Sequence, residues 1–333
     1  MGTLYRPWGQ LQWLLEQYGT TKWDLFGSLS TEDRCLAVRN TLYNRHSLNN
    51  TYLAQIRDAD SLYSIVISQL IRNRTQDLLQ LGGSIHDIGQ HELFESPETV
   101  IAAALKFSKS SIGNVIIDIS ALPKRFFFLA IKTFLNTQVT NIIATYTIPA
   151  QYRSDEIAED FQPWRPLPTF AAQSHDIPIQ EFFVSVGHIT MGLPEELESM
   201  SRNTKVKIFL PFPGHSQSIK RNWQFVQTIQ EALPEGMKPI LKVVHARDVS
   251  ESFDHIVADT DHGVREALLA PFGPKPISLA MCLYACKNTN SRVYYTQPRI
   301  YPPDYSVGIE MKEGIPNIYG YCIRINGIDL YTV

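Results

Sequence analysis

Four cysteines in 333 residues, Cys35, Cys282, Cys286 and Cys322, form no C-x-x-C pair, so neither a zinc ribbon nor a disulfide scaffold is indicated. Long apolar runs are missing too. The strongest, Phe126 to Ile131 extended to Leu135, is interrupted by Lys132 and is far too short to span a bilayer. The start has no charged region leading into an apolar stretch, and Arg6 stands where a myristoylation signal carries Ser or Thr. A cytoplasmic, soluble chain with no membrane partner is the expectation. Charge of one sign is also lacking: 30 Lys and Arg against 33 Asp and Glu give a net −3. That argues against general nucleic-acid binding, which needs a broad basic face, but leaves room for a small basic pocket. No Walker A, G-x-G-x-x-G, G-x-S-x-G or H-E-x-x-H motif occurs, so P-loop, dinucleotide, nucleophile-elbow and zincin chemistry lose their main support. No metal and no cofactor are expected.

What is present is an ordinary globular composition, 44% hydrophobic and 19% charged, over a length that suits two domains. The chain alternates short apolar runs with helical periodicity. Trp23–Phe26, Thr51–Ile56, Val115–Ile119 and Asn141–Tyr146 read as strands. Helices fall between them, one closed by Gly82-Gly83 and one opened by Ser96-Pro97-Glu98. The near-continuous apolar run Val115-Ile116-Ile117 suits a strand covered on both faces, as in a parallel sheet. Pro149, Pro163, Pro166, Pro168 and Pro178 then interrupt the pattern. It resumes with strands at Phe182–Val186, Val206–Leu210, Pro239–His245 and Arg292–Thr296, a largely helical stretch from Asp248 through Leu269, and a closing strand or two around Tyr319–Ile325. Strands alternating with helices define an α/β fold with mostly parallel sheets.

The two halves lay over each other. Ala121-Leu122-Pro123-Lys124 precedes an apolar helix and a strand ending Tyr146-Thr147; Phe272-Gly273-Pro274-Lys275 precedes an apolar helix and a strand ending Tyr295-Thr296. From Lys to Tyr the spacing is 22 residues in the first copy and 20 in the second, by subtraction of the residue numbers. We therefore expect two Rossmann-like halves, a pseudo-duplication: residues 1–150 as a first lobe, 151–180 as a Pro-rich linker or insertion, and 181–333 as a second lobe. Open parallel sheets take ligands outside the carboxyl ends of their strands. The loops there are Gly27–Ser30, Ser120–Lys124, Pro213–Ser216 and Phe272–Lys275, each followed by a helix start, and a duplicated chain would bring equivalent loops to one cleft. Amides, hydroxyls and lysines at helix starts suit a phosphate.

The run Asp118-Ile119-Ser120-Ala121-Leu122-Pro123-Lys124, an acid, a hydroxyl and a Lys opening a helix after a strand, resembles the signature loop of CRISPR-associated Rossmann-fold (CARF) sensor domains. Two such units in one chain resemble the related SAVED domains of bacterial anti-phage systems. The pattern departs at Ala121 and Leu122, where the signature has glycines, and at Leu269, where the second copy lacks the acid. The resemblance implies recognition of a cyclic oligonucleotide or related messenger in antiviral defence, with the effector on a separate partner chain.

The candidate ligand-binding residues are thus Ser28, Ser30, Arg34, Ser120, Lys124, Gly214, Ser216, Gly273 and Lys275, with Tyr146 and Tyr295 as base-stacking rings. Each has a plainer alternative: serines cap helices, Arg34 reads as a surface charge, and tyrosines fill strands. Lysines at helix starts oppose the helix dipole and so ask for a reason. The enzyme alternative is a nucleotide or phosphoester hydrolase or transferase using Asp118, His215 and Lys275. A third reading is a scaffold subunit whose Phe126–Phe128 helix meets a partner. The acidic histidine pairs Asp254-His255 and Asp261-His262 lack metal-ligand spacing.

Overall fold

The computed structural model describes residues 5–19, 21–153, 159–171, 178–187, 190, 192–198, 200–214 and 216–333. The chain forms two units, one of residues 1–160 with 299–330, the other of residues 161–298 with 331–333. Along the first stretch run β1 (Trp8–Gln10), α1 (Leu11–Gln17), β2 (Trp23–Leu29), α2 (Ala37–Asn44), β3 (Leu48–Arg57), α3 (Ser64–Gln80), β4 (Ile88–Glu92), α4 (Pro97–Ser110), β5 (Asn114–Asp118), α5 (Lys124–Leu135), β6 (Asn141–Thr147) and the short β7 (Gln151–Tyr152). The second unit continues with β8 (Arg165–Pro166), β9 (Glu181–Ser185), α6 (Leu193–Glu198), β10 (Lys205–Phe212), α7 (Ser216–Ala232), β11 (Ile240–His245), α8 (Val249–Asp259), β12 (Ala267–Ala270), α9 (Lys275–Lys287) and β13 (Ser291–Tyr295). The chain then returns to the first unit with β14 (Ser306–Val307) and β15 (Ile318–Ile325).

In the first sheet the strands lie in the order β1-β15-β6-β5-β2-β3-β4. The five strands from β2 to β6 are mutually parallel, and β15 runs antiparallel between β6 and β1. In the second sheet the order is β11-β10-β9-β12-β13-β8, parallel from β9 to β13 with β8 antiparallel at the edge. Numbering the parallel strands of each unit in chain order, both sheets read 3-2-1-4-5. That is the doubly wound Rossmann order, whose direction reverses between strands 1 and 4. The expected α/β class with two Rossmann-like halves is therefore borne out.

Central strands carry the cores. β2, β9 and β12 are buried along their whole lengths, and β5 apart from its first residue, as strands with helices on both faces must be. The helices that follow the two switch-point strands, α5 and α9, are buried almost throughout. Phe126, Phe127 and Phe128 are thereby core residues, which removes them as a surface for a scaffold partner. Among the described residues no helix is long and apolar enough to cross a membrane.

Three sequence expectations are corrected. Among the described residues, 151–153 and 159–160 join the first unit and Arg165–Pro166 form an edge strand of the second, so these parts of the expected linker or insertion belong to the two units; proline is tolerated on an edge strand, where its missing N–H goes unused. Residues 299–330 belong to the first unit rather than to a second lobe running to 333, because apolar alternation marks a strand without saying which sheet it joins. Finally, Ala267–Ala270 is a buried strand, not the end of a helix. Four apolar residues are too few for periodicity to separate the two.

Candidate functional site

The switch point lies between β2 and β5 in the first unit and between β9 and β12 in the second. In the first unit Asp118 ends β5, and its Oδ1 accepts from the Ser120 amide at 3.0 Å and the Ser120 hydroxyl at 2.5 Å. The Ser120 Oγ accepts in turn from the Thr147 amide at 2.7 Å. This bracket ties the loop after β5 to the end of β6 and presents Lys124 as the first residue of α5. Burial pulls the Lys124 ammonium down to about 7, since a low-dielectric surround disfavours the charged form.

The loop after β2 is built differently. Arg34 is 1% exposed. Its Nε and Nη2 meet Glu32 Oε2 at 2.8 Å, and its Nη1 donates to the Thr147 carbonyl at 3.1 Å. The guanidinium lies over the rings of Tyr146 and Tyr152, at 5.4 and 5.9 Å, while the two phenol oxygens are 2.5 Å apart. The returning chain closes the cage. Ser306 donates to Glu32, the Gly308 amide donates to Asp33 Oδ2 at 2.5 Å, and Tyr305 packs edge-on against Tyr152. Asp33 also pairs with Arg74 of α3. Glu32 and Asp33 thus occupy the first strand-to-helix turn, where a Rossmann fold has phosphate-binding glycines. Arg34 is held above its ordinary range by Glu32 despite its burial. It is a structural cation, not the surface charge its helical position suggested.

In the second unit the two switch-point loops are pressed together. The Gly273 amide donates to Ser185 Oγ at 2.8 Å. A Cβ on Gly273 would lie 2.7 Å from the Val186 carbonyl oxygen, and one on Gly187 would lie 2.4 Å from that of Phe272; only glycine permits this approach. Lys275 opens α9. Above the loop stands an aromatic stack. The Phe272 ring lies 5.6 Å from Tyr295 and 6.0 Å from Phe225, and Trp164 stacks on it at 5.8 Å with 4° between planes.

The predicted residues fall as follows. Ser120, Lys124, Asp118, Arg34 and Tyr146 converge at the first switch point, and Gly273, Lys275 and Tyr295 at the second. Ser28 is buried within β2, and Ser30 Oγ accepts from the Glu32 amide, a local turn bond. Tyr146 already carries Arg34 on its face, so its stacking surface is taken. Gly214 lies between β10 and α7, and Ser216 is the first residue of α7. His215 lies outside the described residues. Among the described residues no group of His, Cys, Asp or Glu is placed to hold a metal ion. Asp259 is engaged by Lys242 at 2.6 Å and Lys207 at 3.3 Å. The site residues missed from sequence are Glu32, Asp33, Tyr152 and Trp164. Trp164 sat in the stretch read as a linker or insertion, and the others join the cage in part through contacts distant in the chain, such as Glu32 with Ser306 and Asp33 with Arg74.

A further feature recurs. The residue after Tyr146 and the residue after Tyr295 are both threonines, Thr147 and Thr296, buried to 2% exposure or less. The Oγ1 of each has no hydrogen-bond partner among the described residues. Both α5 and α9 start behind a proline cap with matching backbone, φ −55° and ψ 151° at Pro123 against φ −54° and ψ 148° at Pro274.

The architecture defines a chain of two Rossmann-ordered units. No protein-family model matches the chain, and no curated protein matches it either. Among solved structures it is similar to a protein described as a universal stress protein from Pseudomonas aeruginosa UCBPP-PA14, at 11% identity over 84% of this chain and 94% of that one, with a TM-score of 0.26. It is also similar to a protein of unknown function from Pseudomonas aeruginosa PAO1, at 12% identity over 83% and 92%, with a TM-score of 0.24.

Proposed function

We propose that this protein binds a phosphorylated, nucleotide-like ligand at the carboxyl ends of its parallel strands. One observation carries the reading. The same constellation occurs twice: a proline-capped helix opened by a lysine, Lys124 or Lys275, and a buried threonine at the end of a strand or directly after it, whose hydroxyl has no hydrogen-bond partner among the described residues. A lysine at a helix start is electrostatically opposed by the dipole, and a buried unpaired hydroxyl costs about 1–3 kcal/mol. A bound phosphate supplies the hydroxyl with a partner, accepting from it, the helix amides and the ammonium together. Cyclic oligonucleotides are the ligand class that the CARF and SAVED resemblance favours.

The test is a thermal-stability screen against cyclic and linear oligonucleotides, repeated with Lys124→Ala and Lys275→Ala. A ligand at a hundredfold over its Kd adds about 2.7 kcal/mol, a rise of several degrees in Tm for a chain this size. The expected result is such a rise, diminished in at least one lysine variant. No rise with any nucleotide, or a full rise in both variants, overturns the reading.

A further inference from the structure

Trp164 is half-buried and lies on the outer side of an otherwise buried aromatic group. Beneath it Phe272 is 5% exposed and Tyr295 6%. Tyr294 supports the indole from the side, its ring centroid 5.6 Å away at 43°. The backbone that carries Trp164 is fixed along β13. Arg165 and Pro166 pair with Tyr295 and Tyr294, the Leu167 amide donates to the Val293 carbonyl at 2.8 Å, and the Gln162 amide donates to the Gln297 carbonyl at 3.0 Å. A ring held this way loses little freedom when a second planar group lies on it.

Its neighbours add the rest of a site. Phe272, on which the indole stacks, belongs to the loop that leads through Gly273 and Pro274 to Lys275 at the start of α9. Thr296, whose buried hydroxyl has no hydrogen-bond partner among the described residues, directly follows Tyr295 of the same aromatic group. The ring of Trp164, a hydroxyl with no hydrogen-bond partner among the described residues and a lysine at a helix start are thus carried by neighbouring segments at one end of one sheet. In the first unit the matching ring, Tyr146, already carries Arg34 on one face.

We propose that Trp164 is the stacking platform for a nucleobase, with the phosphate of the same ligand directed to Thr296 and Lys275. The proposal rests on the phosphate reading above and adds the base subsite and its unit. Because stacking tolerates every base, cyclic di-AMP serves as the base-bearing probe and tripolyphosphate as the base-free one. Titrations of the full chain should show Trp164→Leu weakening cyclic di-AMP by about 5- to 100-fold and leaving tripolyphosphate within about twofold. Trp164→Tyr, which keeps an aromatic face, should restore most of the affinity and guards against a folding defect in the leucine variant. Cyclic di-AMP should also quench indole emission in the wild type and not in Trp164→Tyr. If Trp164→Leu binds cyclic di-AMP as the wild type does, the platform is overturned and the phosphate reading stands. If neither probe binds at millimolar concentration, both are overturned.

Discussion

The two units share one strand order and solve its two ends differently. At the amino ends of the strands, the first unit buries Asp24, whose carboxylate accepts from Asn49 Nδ2 at 2.7 Å and from the Ile112 amide at 2.8 Å. The second buries Glu181 at the matching end of its first strand, clamped by Lys207 at 2.5 Å and Arg265 at 2.9 Å. Lys207 also reaches Asp259, which Lys242 neutralises, and Arg292 pairs with Glu266 at 3.0 Å. Neutral donors hold the buried carboxylate of one sheet; a chain of ions holds that of the other. The carboxyl ends reverse this: the first unit fills its switch point with the Arg34 cage, and the second closes its own with glycine contacts under an aromatic stack. Strand order fixes where the sensitive positions lie, and the side chains decide what chemistry occupies them.

That contrast can be broken most severely at the amino ends. Lys207→Ala leaves Glu181 buried with Arg265 alone and should cost about 3 kcal/mol, the scale of a broken buried pair. Asn49→Ala removes one hydrogen bond to a carboxylate that keeps its amide donor, so about 1.5 kcal/mol is expected. Urea unfolding gives both numbers, and hydrogen exchange should place the first loss in β9 to β12 and the second in β2 and β3. Equal costs would show that the two anchors are energetically alike.

Gly273→Ala tests the packed loop of the second unit. The added methyl meets the Val186 carbonyl oxygen at 2.7 Å, so a loss of about 1–3 kcal/mol is expected in the same urea experiment. A pH slope tests the first unit's loop. Lys124 sits at about 7 in the folded chain against 10.5 ordinarily. Below pH 7 both states carry the proton, so the burden of burying a charge is fully present. Between 7 and 10.5 the unfolded chain binds more protons, and stability rises with pH. Relative to Lys124→Met, the wild type should therefore gain stability from pH 7 towards 10 and show no further change below 6. A flat difference across that range would remove the buried charge from the account.

Much of this was legible in the residues. The run Val115-Ile116-Ile117 announced a doubly covered strand, Pro97 and Gly82 marked helix ends, and the paired Pro-Lys and Tyr-Thr signatures exposed the repeat. The site was legible in part. Lys124, Lys275 and Ser120 stand out by local pattern, because a helix start after a strand is a local event. Glu32 and Ser306 are 274 positions apart, and Trp164 and Phe272 are 108, by subtraction. Nothing local in a sequence encodes such meetings. Arg34 shows the same limit from the other side, since its position in a turn gave no hint that three tyrosines and a glutamate would enclose it.

The return of the chain through β15 has a consequence for synthesis. β15 lies between β1 and β6, yet about 170 residues separate it from the latter, by subtraction of their bounds. On the ribosome, at about 5–20 residues per second, β6 emerges some ten seconds or more before its antiparallel neighbour exists. The first unit must wait with one flank of its sheet unpaired while all the strands of the second sheet are made. An exposed strand edge during that interval is a template for wrong partners, so chaperone dependence should centre on β6 and β1. The sheet begun first is finished last.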